Sequence, residues 1–285
     1  EKNLGTWAIC KINMIVHNFK DSDIRKGDTL GSPKHIVNGE LETFDRVIAN
    51  PPFSLSNWWE AAEVDVKNDA KGKPITPKYN DVVSDEYGRF KYGIPPRSYG
   101  DLAFLQHMLS VLKNNGKMGI VLPHGVLFRG GSEGKIREGL LKDDLIEVIV
   151  GLPINLFYNA GIAATIIIVN KSKPETLKNR VIFIDASNEY KEGKNQNTLT
   201  AENIEKIVSS HDAMEEVEKY MRVVELSEIK ENDYNLNIAR YIDTSEAEEI
   251  IDIQATLERI NEIESNEQEI DSKLNGFLKD LGFVS

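Results

Sequence analysis

The chain predicts an α/β fold followed by an acidic helical tail, on three observations. Short β-branched apolar runs recur at 47–49, 117–122, 145–150, 164–170 and 181–184, each of a length suited to a buried strand. Segments of helical period lie between them, such as 101–113, which places Leu102, Leu105, Leu109 and Leu112 on one face. From Ser245 onward the chain turns acidic, and Ile250, Ile253, Leu257 and Ile260 keep a 3-4 spacing.

Composition narrows the class. The 285 residues are 40% hydrophobic, enough for one sizeable core or two modest ones. No apolar run of about 18 residues is present, so no membrane span is expected, and no secretory leader is visible. The single Cys10 excludes an internal disulfide and a cysteine-based zinc site. It is expected to pack as a small apolar residue on a helix, which suits a reducing cytoplasm. The net charge is −12, and residues 244–285 hold 11 acids against 3 bases. A body so nearly balanced suits local basic patches, with a partner supplying much of any grip on phosphates.

Taken in order, residues 1–18 predict a helix, with Leu4, Ala8, Ile12 and Ile15 near a 3.6 period. Ile24 and Arg25 read as a short strand ending in Gly27-Asp28-Thr29-Leu30. There Asp28 is either a turn former beside glycine or an acid placed to accept from a ligand. The next strand carries the stretch on which the reading turns, Asn50-Pro51-Pro52-Phe53. Each proline drives the residue before it into extended geometry, so Asn50 and Pro51 stand extended beyond the carboxyl end of a strand, where open sheets bind ligands. Prolines offer no N–H, so the turn presents acceptors, the Asn50 side-chain oxygen and the Pro51 carbonyl, beside the flat face of Phe53. Two acceptors and an aromatic ring suit a planar group with an amino donor. The plain alternative is a strand, a Pro-Pro turn and a core phenylalanine.

Residues 54–100 predict a long irregular segment carrying Trp58, Trp59, Lys71, Lys73, Lys78, Arg89, Lys91 and Arg97. Asp101 starts the next helix. The strand after it ends in a turn with His124, read as structural, then Arg129, Gly130 and Gly131. Ser132 is read as the N-cap of a helix bearing Lys135 and Arg137, an anion site or plain capping with surface charge. Phe157 and Tyr158 follow the strand at 145–150, and Asp185-Ala186-Ser187 closes the sheet region. A helix near 201–208 and Asn232-Asp233-Tyr234-Asn235-Leu236-Asn237 complete the body.

Asn50-Pro51-Pro52-Phe53 resembles the catalytic tetrapeptide of amino-methyltransferases that modify adenine in DNA. The resemblance widens through Glu1-x-Asn3-x-x-Thr6, Lys11-Ile12-Asn13-Met14, Gly27-Asp28-Thr29-Leu30, Gly88-Arg89, Asn155-Leu156-Phe157-Tyr158 and Tyr234-Asn235-Leu236-Asn237 with Arg240-Tyr241. Together these resemble the modification subunits of type I restriction-modification systems over residues 1–243. The resemblance implies a Rossmann-like, S-adenosylmethionine-dependent methyltransferase fold at 1–243. By its own residues 244–285 is a coiled-coil-like tail or an amphipathic helix folded back on its own body, and the resemblance favours docking on a specificity subunit.

It also implies roles. Asn50 and Pro51 hold the exocyclic amino group of a flipped adenine in double-stranded DNA, and Phe53 stacks on the base. Read from its position after a strand, Phe157, in preference to Tyr158, is a second aromatic wall for that base, with core packing the equal alternative. Read from the residues themselves, the glycine-rich turn with Arg129 is a candidate contact for a DNA phosphate or plain capping with surface charge, and the aromatic and basic residues of 54–100 contact the displaced base and its phosphates or form a solvated loop pinned by its tryptophans. Glu1 accepts from the cofactor ribose and Asp28 meets the cofactor adenine, beside Thr29 and Leu30; Phe104 leans on the cofactor or packs in the core. A second modification subunit and a restriction subunit are the further partners implied. A glycine-rich segment upstream of the acid matched by Glu1 passes under the cofactor in that family, so the expectation is an amino-terminally truncated domain, lacking its first strands and inactive alone. Two rivals stay open: a methyltransferase acting on a protein glutamine or an RNA guanine, and a non-catalytic assembly subunit.

Overall fold

The computed structural model describes residues 1–59, 85–158, 160–244 and 253–281. Lys71, Lys73, Lys78 and Ile250 lie outside the described residues. The chain divides into two units, Glu1–Thr244 and Ser245–Ser285.

In the first unit helix α1 (Leu4–Val16) precedes a small hairpin, β1 (Ile36–Val37) with β2 (Glu40–Leu41). Six further strands form one mixed sheet: β3 (Phe44–Ala49), β4 (Leu112–Pro123), β5 (Ile146–Gly151), β6 (Ala164–Asn170), β7 (Arg180–Asp185) and β8 (Met221–Glu225). Their order is β3-β4-β6-β5-β7-β8. Strand β6 runs antiparallel to both β4 and β5, β8 runs antiparallel to β7, and the β3–β4 and β5–β7 pairs are parallel. The carboxyl ends of β3, β4, β5 and β7 therefore emerge at one end of the sheet, where the turns that follow them gather.

Helices α2 (Asp101–Ser110) and α3 (Gly131–Lys142) cover one face, burying Leu102, Leu105, Ile136 and Leu140 against Ile120, Leu122 and Ile149. The alternation of β5 and β7 sends Val148, Val150, Ile182 and Ile184 to the other face, with Tyr220 and, on α4 (Ala201–Ala213), Ile207. Every residue of β5 is buried, as a strand covered on both faces requires. A short helix, α5 (Leu226–Glu231), follows β8. In the second unit α6 (Ile253–Asp280) spans 28 residues and leaves Leu257, Ile260, Ile263, Ile270, Leu274 and Phe277 exposed. Among the described residues no helix is long and apolar enough to cross a membrane.

Several expectations are corrected. The strand carrying Val47, Ile48 and Ala49 forms but is not buried. Among the described residues it pairs only with β4, so it is an edge of this sheet, and Ile48 is 87% exposed. Ile24 and Arg25 form no strand; the Arg25 carbonyl accepts from the Glu1 amino terminus rather than from a ladder. Helix α2 ends at Ser110, because Leu112 already pairs with Phe44 in the sheet. Strand β8, unforeseen, extends the sheet past β7. The N-cap of α3 is Gly130 without a side-chain bond, and Ser132 lies inside the first turn. Cys10 is on a helix but exposed, as α1 buries no residue.

One buried carboxylate ties three elements together. The β5–β6 register shifts between Ile146 and Val148, which sets Glu147 out of the ladder. Its side chain, 1% exposed, accepts from Lys117 Nζ at 2.7 Å and from Asn170 Nδ2, with His211 Nε2 of α4 at 4.0 Å. Burial pushes the carboxyl up, but His211, Lys117 and Asn170 outweigh it and pull it down to about 2. A carboxyl depressed from 4.5 to about 2 contributes stability that is present above the unfolded value and lost as pH falls through the folded one. Glu147→Gln is expected to cost about 1–3 kcal/mol at neutral pH. In thermal melts the gap from wild type should close on acidification from 4.5 to about 2; a gap constant with pH would contradict the assignment.

Candidate functional site

Strand β3 stops at Ala49, and the four residues after it turn along a cavity of about 360 Å³. Its lining is Asn50, Pro51, Pro52, Phe53, Phe157, Tyr158 and Ala160. Asn50 is exposed and Pro51 buried, so the corner is anchored at one residue and open at the next. Among the described residues the Asn50 side chain has no hydrogen-bond partner, which leaves its amide for a ligand. Phe53 and Phe157 meet edge to face, with centroids 5.8 Å apart and planes at 77°. Both also lean on the core beneath the sheet.

The loop bearing Phe157 is held from behind. Asn197 Nδ2 donates to the Ile154 carbonyl at 3.0 Å, Gln196 Nε2 to that of Leu156 at 2.6 Å, and the Asn197 N–H to that of Asn155 at 2.9 Å. Tyr158 reaches the rim and is 86% exposed. The two expected aromatic walls, Phe53 and Phe157, thus share one cavity with the two expected acceptors. Such a site can receive a planar heterocycle and take hydrogen bonds from its amino group.

Behind the corner lies a network that was not foreseen. Ser54, at φ 52°, donates its N–H to Asp101 Oδ1 at 2.7 Å. Asp101 has no exposed surface, and its other oxygen meets Arg129 Nη2 at 3.3 Å. Arg129 Nε lies 3.2 Å from Glu133 Oε2, and its guanidinium stacks over Tyr99 at 4.4 Å. Burial raises the Asp101 carboxyl, while the Ser54 N–H and Arg129 oppose that. Burial likewise raises Glu133, with Arg129 opposing. Arg129, expected at a DNA phosphate, is instead engaged by two buried acids. Arg137 is buried too and donates to the carbonyls of Val126 and Arg129. An acid at a helix start is ordinary in sequence, so nothing in the string pointed from Asp101 back to Ser54.

Glu1, Asp28 and Thr29, read as cofactor residues, do come together, but elsewhere. They line a cavity of about 120 Å³ with Phe44 and Val111, at the opposite end of β3 from Asn50. Asp28 Oδ1 accepts from the N–H groups of Leu30 and Gly31 at 3.0 and 2.9 Å, which is turn geometry. Leu30 is buried with Trp58, Trp59 and Phe90.

Other residues of 54–100 and its neighbours that are described take part in the fold. Trp58 and Trp59 are buried and pin their loop. Arg89 is buried and donates to the carbonyls of Thr29 and Leu30, with Nη1 3.3 Å from His107 Nδ1. Burial, with Arg89 adjacent, pushes His107 down to about 4. Lys91 pairs with Asp143 and Arg97 with Asn57. Phe104 packs between two core clusters. His124 packs edge to face on Phe128, and burial lowers it.

The family profile described as N-6 DNA Methylase matches residues 1–250. The chain is 39% identical to the type I restriction enzyme MjaVII methylase subunit of Methanocaldococcus jannaschii, over 99% of this chain and 46% of that protein. It is 32% identical to the MpnII methylase subunit of Mycoplasma pneumoniae, over 99% of this chain and 49% of that protein. Among solved structures, the type I restriction-modification system methyltransferase subunit from Streptococcus thermophilus superposes with a TM-score of 0.70 at 39% identity, covering 86% of this chain and 48% of that one. The chain spans about half the length of the curated relatives it matches.

Proposed function

The chain belongs to the N-6 DNA methylase family, and from that premise we propose that it carries the base-holding part of an adenine-specific DNA methyltransferase. The reaction is transfer of a methyl group to the exocyclic amino nitrogen of an adenine flipped out of double-stranded DNA. The protein acts as the modification subunit of a type I restriction-modification complex. The observation that carries this reading is the cavity shared by Asn50, Pro51, Phe53 and Phe157.

The target nitrogen is stacked inside a duplex, so the base must leave the helix at a cost of a few kcal/mol. Stacking on Phe53 returns about 1–3 kcal/mol. The two amino hydrogens are donated to Asn50 Oδ1 and the Pro51 carbonyl, which turns the nitrogen lone pair out of the ring plane. The Pro51 carbonyl belongs to a backbone corner set before the base arrives, and the unpartnered Asn50 amide is free to accept beside it, so the pair stabilises positive charge on nitrogen. S-adenosylmethionine, the donor typical of the family, would supply the methyl group: as the nitrogen–carbon bond forms the sulfonium carbon–sulfur bond breaks, the thioether S-adenosylhomocysteine leaves, and the nitrogen gives up one proton to solvent. Because Glu1 and Asp28 line a different cavity, no step is assigned to them.

The exposed apolar residues of α6 suit docking on the helices of a specificity subunit. A second modification subunit and a restriction subunit complete the assembly. The test supplies the enzyme that carries this chain with methyl-labelled S-adenosylmethionine and duplex DNA, RNA or protein. Label is expected on the adenine amino nitrogen of DNA. Label confined to a glutamine amide or an RNA guanine, or no label at all, overturns the reading.

A further inference from the structure

The corner does not hold its shape by sequence alone, and the structure shows what holds it. Pro51 and Pro52 bring no N–H, and Ser54, the first residue beyond the corner, sits at φ 52°. That left-handed geometry is uncommon for a residue other than glycine and persists where the surroundings impose it. Here the Ser54 N–H is taken by Asp101 Oδ1 at 2.7 Å. Two further straps run alongside, Gly100 N–H to the Leu55 carbonyl at 3.0 Å and Asn57 N–H to that of Arg97 at 2.8 Å. Favouring the start of α2 requires only a surface acid, whereas Asp101 is wholly buried, which is costly unless both oxygens are used. Both are used, one on the corner and one on Arg129.

Resting on the base-holding reading above, we propose that Asp101 is the positioning residue for the corner formed by residues 50–53, with Arg129 as its counter-ion. Arg129 follows β4, so the pair ties the turn after β3 to the turn after β4. Glu133 and Tyr99 fix the far side of the guanidinium. A slip of the corner would carry the Asn50 and Pro51 oxygens off the amino group they must meet, and an error of about 1 Å can cost about 100-fold in rate. Asp101 touches no substrate; it acts through the Ser54 backbone.

The test has two readouts. In this chain, amide exchange at Ser54 should quicken by about 10- to 100-fold in Asp101→Ala, the loss of one hydrogen bond to a charged acceptor. Exchange at Ile120, central in β4, should stay slow. In the enzyme that carries this chain, kcat should fall about 100-fold while the KM for cofactor stays within about threefold. Asp101→Asn, which keeps an oxygen for Ser54, should recover part of both losses. Unchanged Ser54 exchange in Asp101→Ala, or unchanged kcat, overturns the proposal. If Asp101→Ala fails to fold, Asp101→Asn decides alone: faster Ser54 exchange and lower kcat with Ile120 protected support the role, and wild-type values of either overturn it. Wild-type enzyme that labels no DNA defeats the functional reading, while Ser54 exchange still reports on Asp101.

Discussion

Asn50→Ala, made in the enzyme that carries this chain, is expected to lower methyl transfer by at least about 10²- to 10³-fold, the penalty typical of losing one preorganised polar group at a reacting centre. The side chain is exposed at the cavity mouth and has no hydrogen-bond partner among the described residues, so its removal breaks nothing in the fold. The loss should therefore appear in kcat, with affinity for cofactor nearly unchanged. Alanine leaves the Pro51 carbonyl as the sole acceptor, and the amino group then loses the second contact that sets its orientation. Single-turnover methylation with saturating cofactor measures the step directly. Near-normal turnover would remove Asn50 from the reaction.

Phe53→Ala is expected to weaken capture of the extruded base. Stacking worth about 1–3 kcal/mol corresponds to roughly 5- to 150-fold in the flipped population. The same change removes the edge-to-face contact with Phe157 at 5.8 Å, so the opposite wall loosens as well. Phe53→Trp keeps a ring in place and should be much milder. A fluorescent adenine analogue at the target position brightens when it leaves the stack. Equal brightening with wild type and Phe53→Ala would show that Phe53 does not hold the base.

The two predictions rest on parts that differ in how readily a string of residues reveals them. Asn50 to Phe53 could be placed because proline geometry is local: a ring with no N–H dictates its own conformation and that of its neighbour. Strands also formed at 117–122, 145–150 and 164–170, where short length and β-branched content favour a strand over a helix, and β5 alone of the three is buried at every position. Strand β3 also carries a β-branched run, Val47-Ile48, yet lies at an edge of the sheet, because burial depends on which neighbours arrive as well as on the residues themselves.

Phe157 was named as a wall from its place after a strand, but its partnership with Phe53 needed the parallel direction of β3, β4 and β5. Those strands deliver both turns to one end of the sheet. Arg129 shows the converse. A basic residue beside Gly130 reads as an anion contact, yet two carboxylates from other turns of the chain reach it first. Glu1 and Asp28 were expected to share the cofactor, and the structure does gather them round one small cavity, at the far end of β3.

The linear order of residues thus settled the α/β alternation, the acceptor-rich corner and its aromatic neighbour, because each follows from steric rules acting over a few residues. Three-dimensional packing alone decided that Asp101 grips Ser54 across 47 positions, that Arg129 turns inward and that β3 stands at an edge. Those outcomes depend on free energies of burial and charge pairing between segments distant along the chain, which no local pattern encodes.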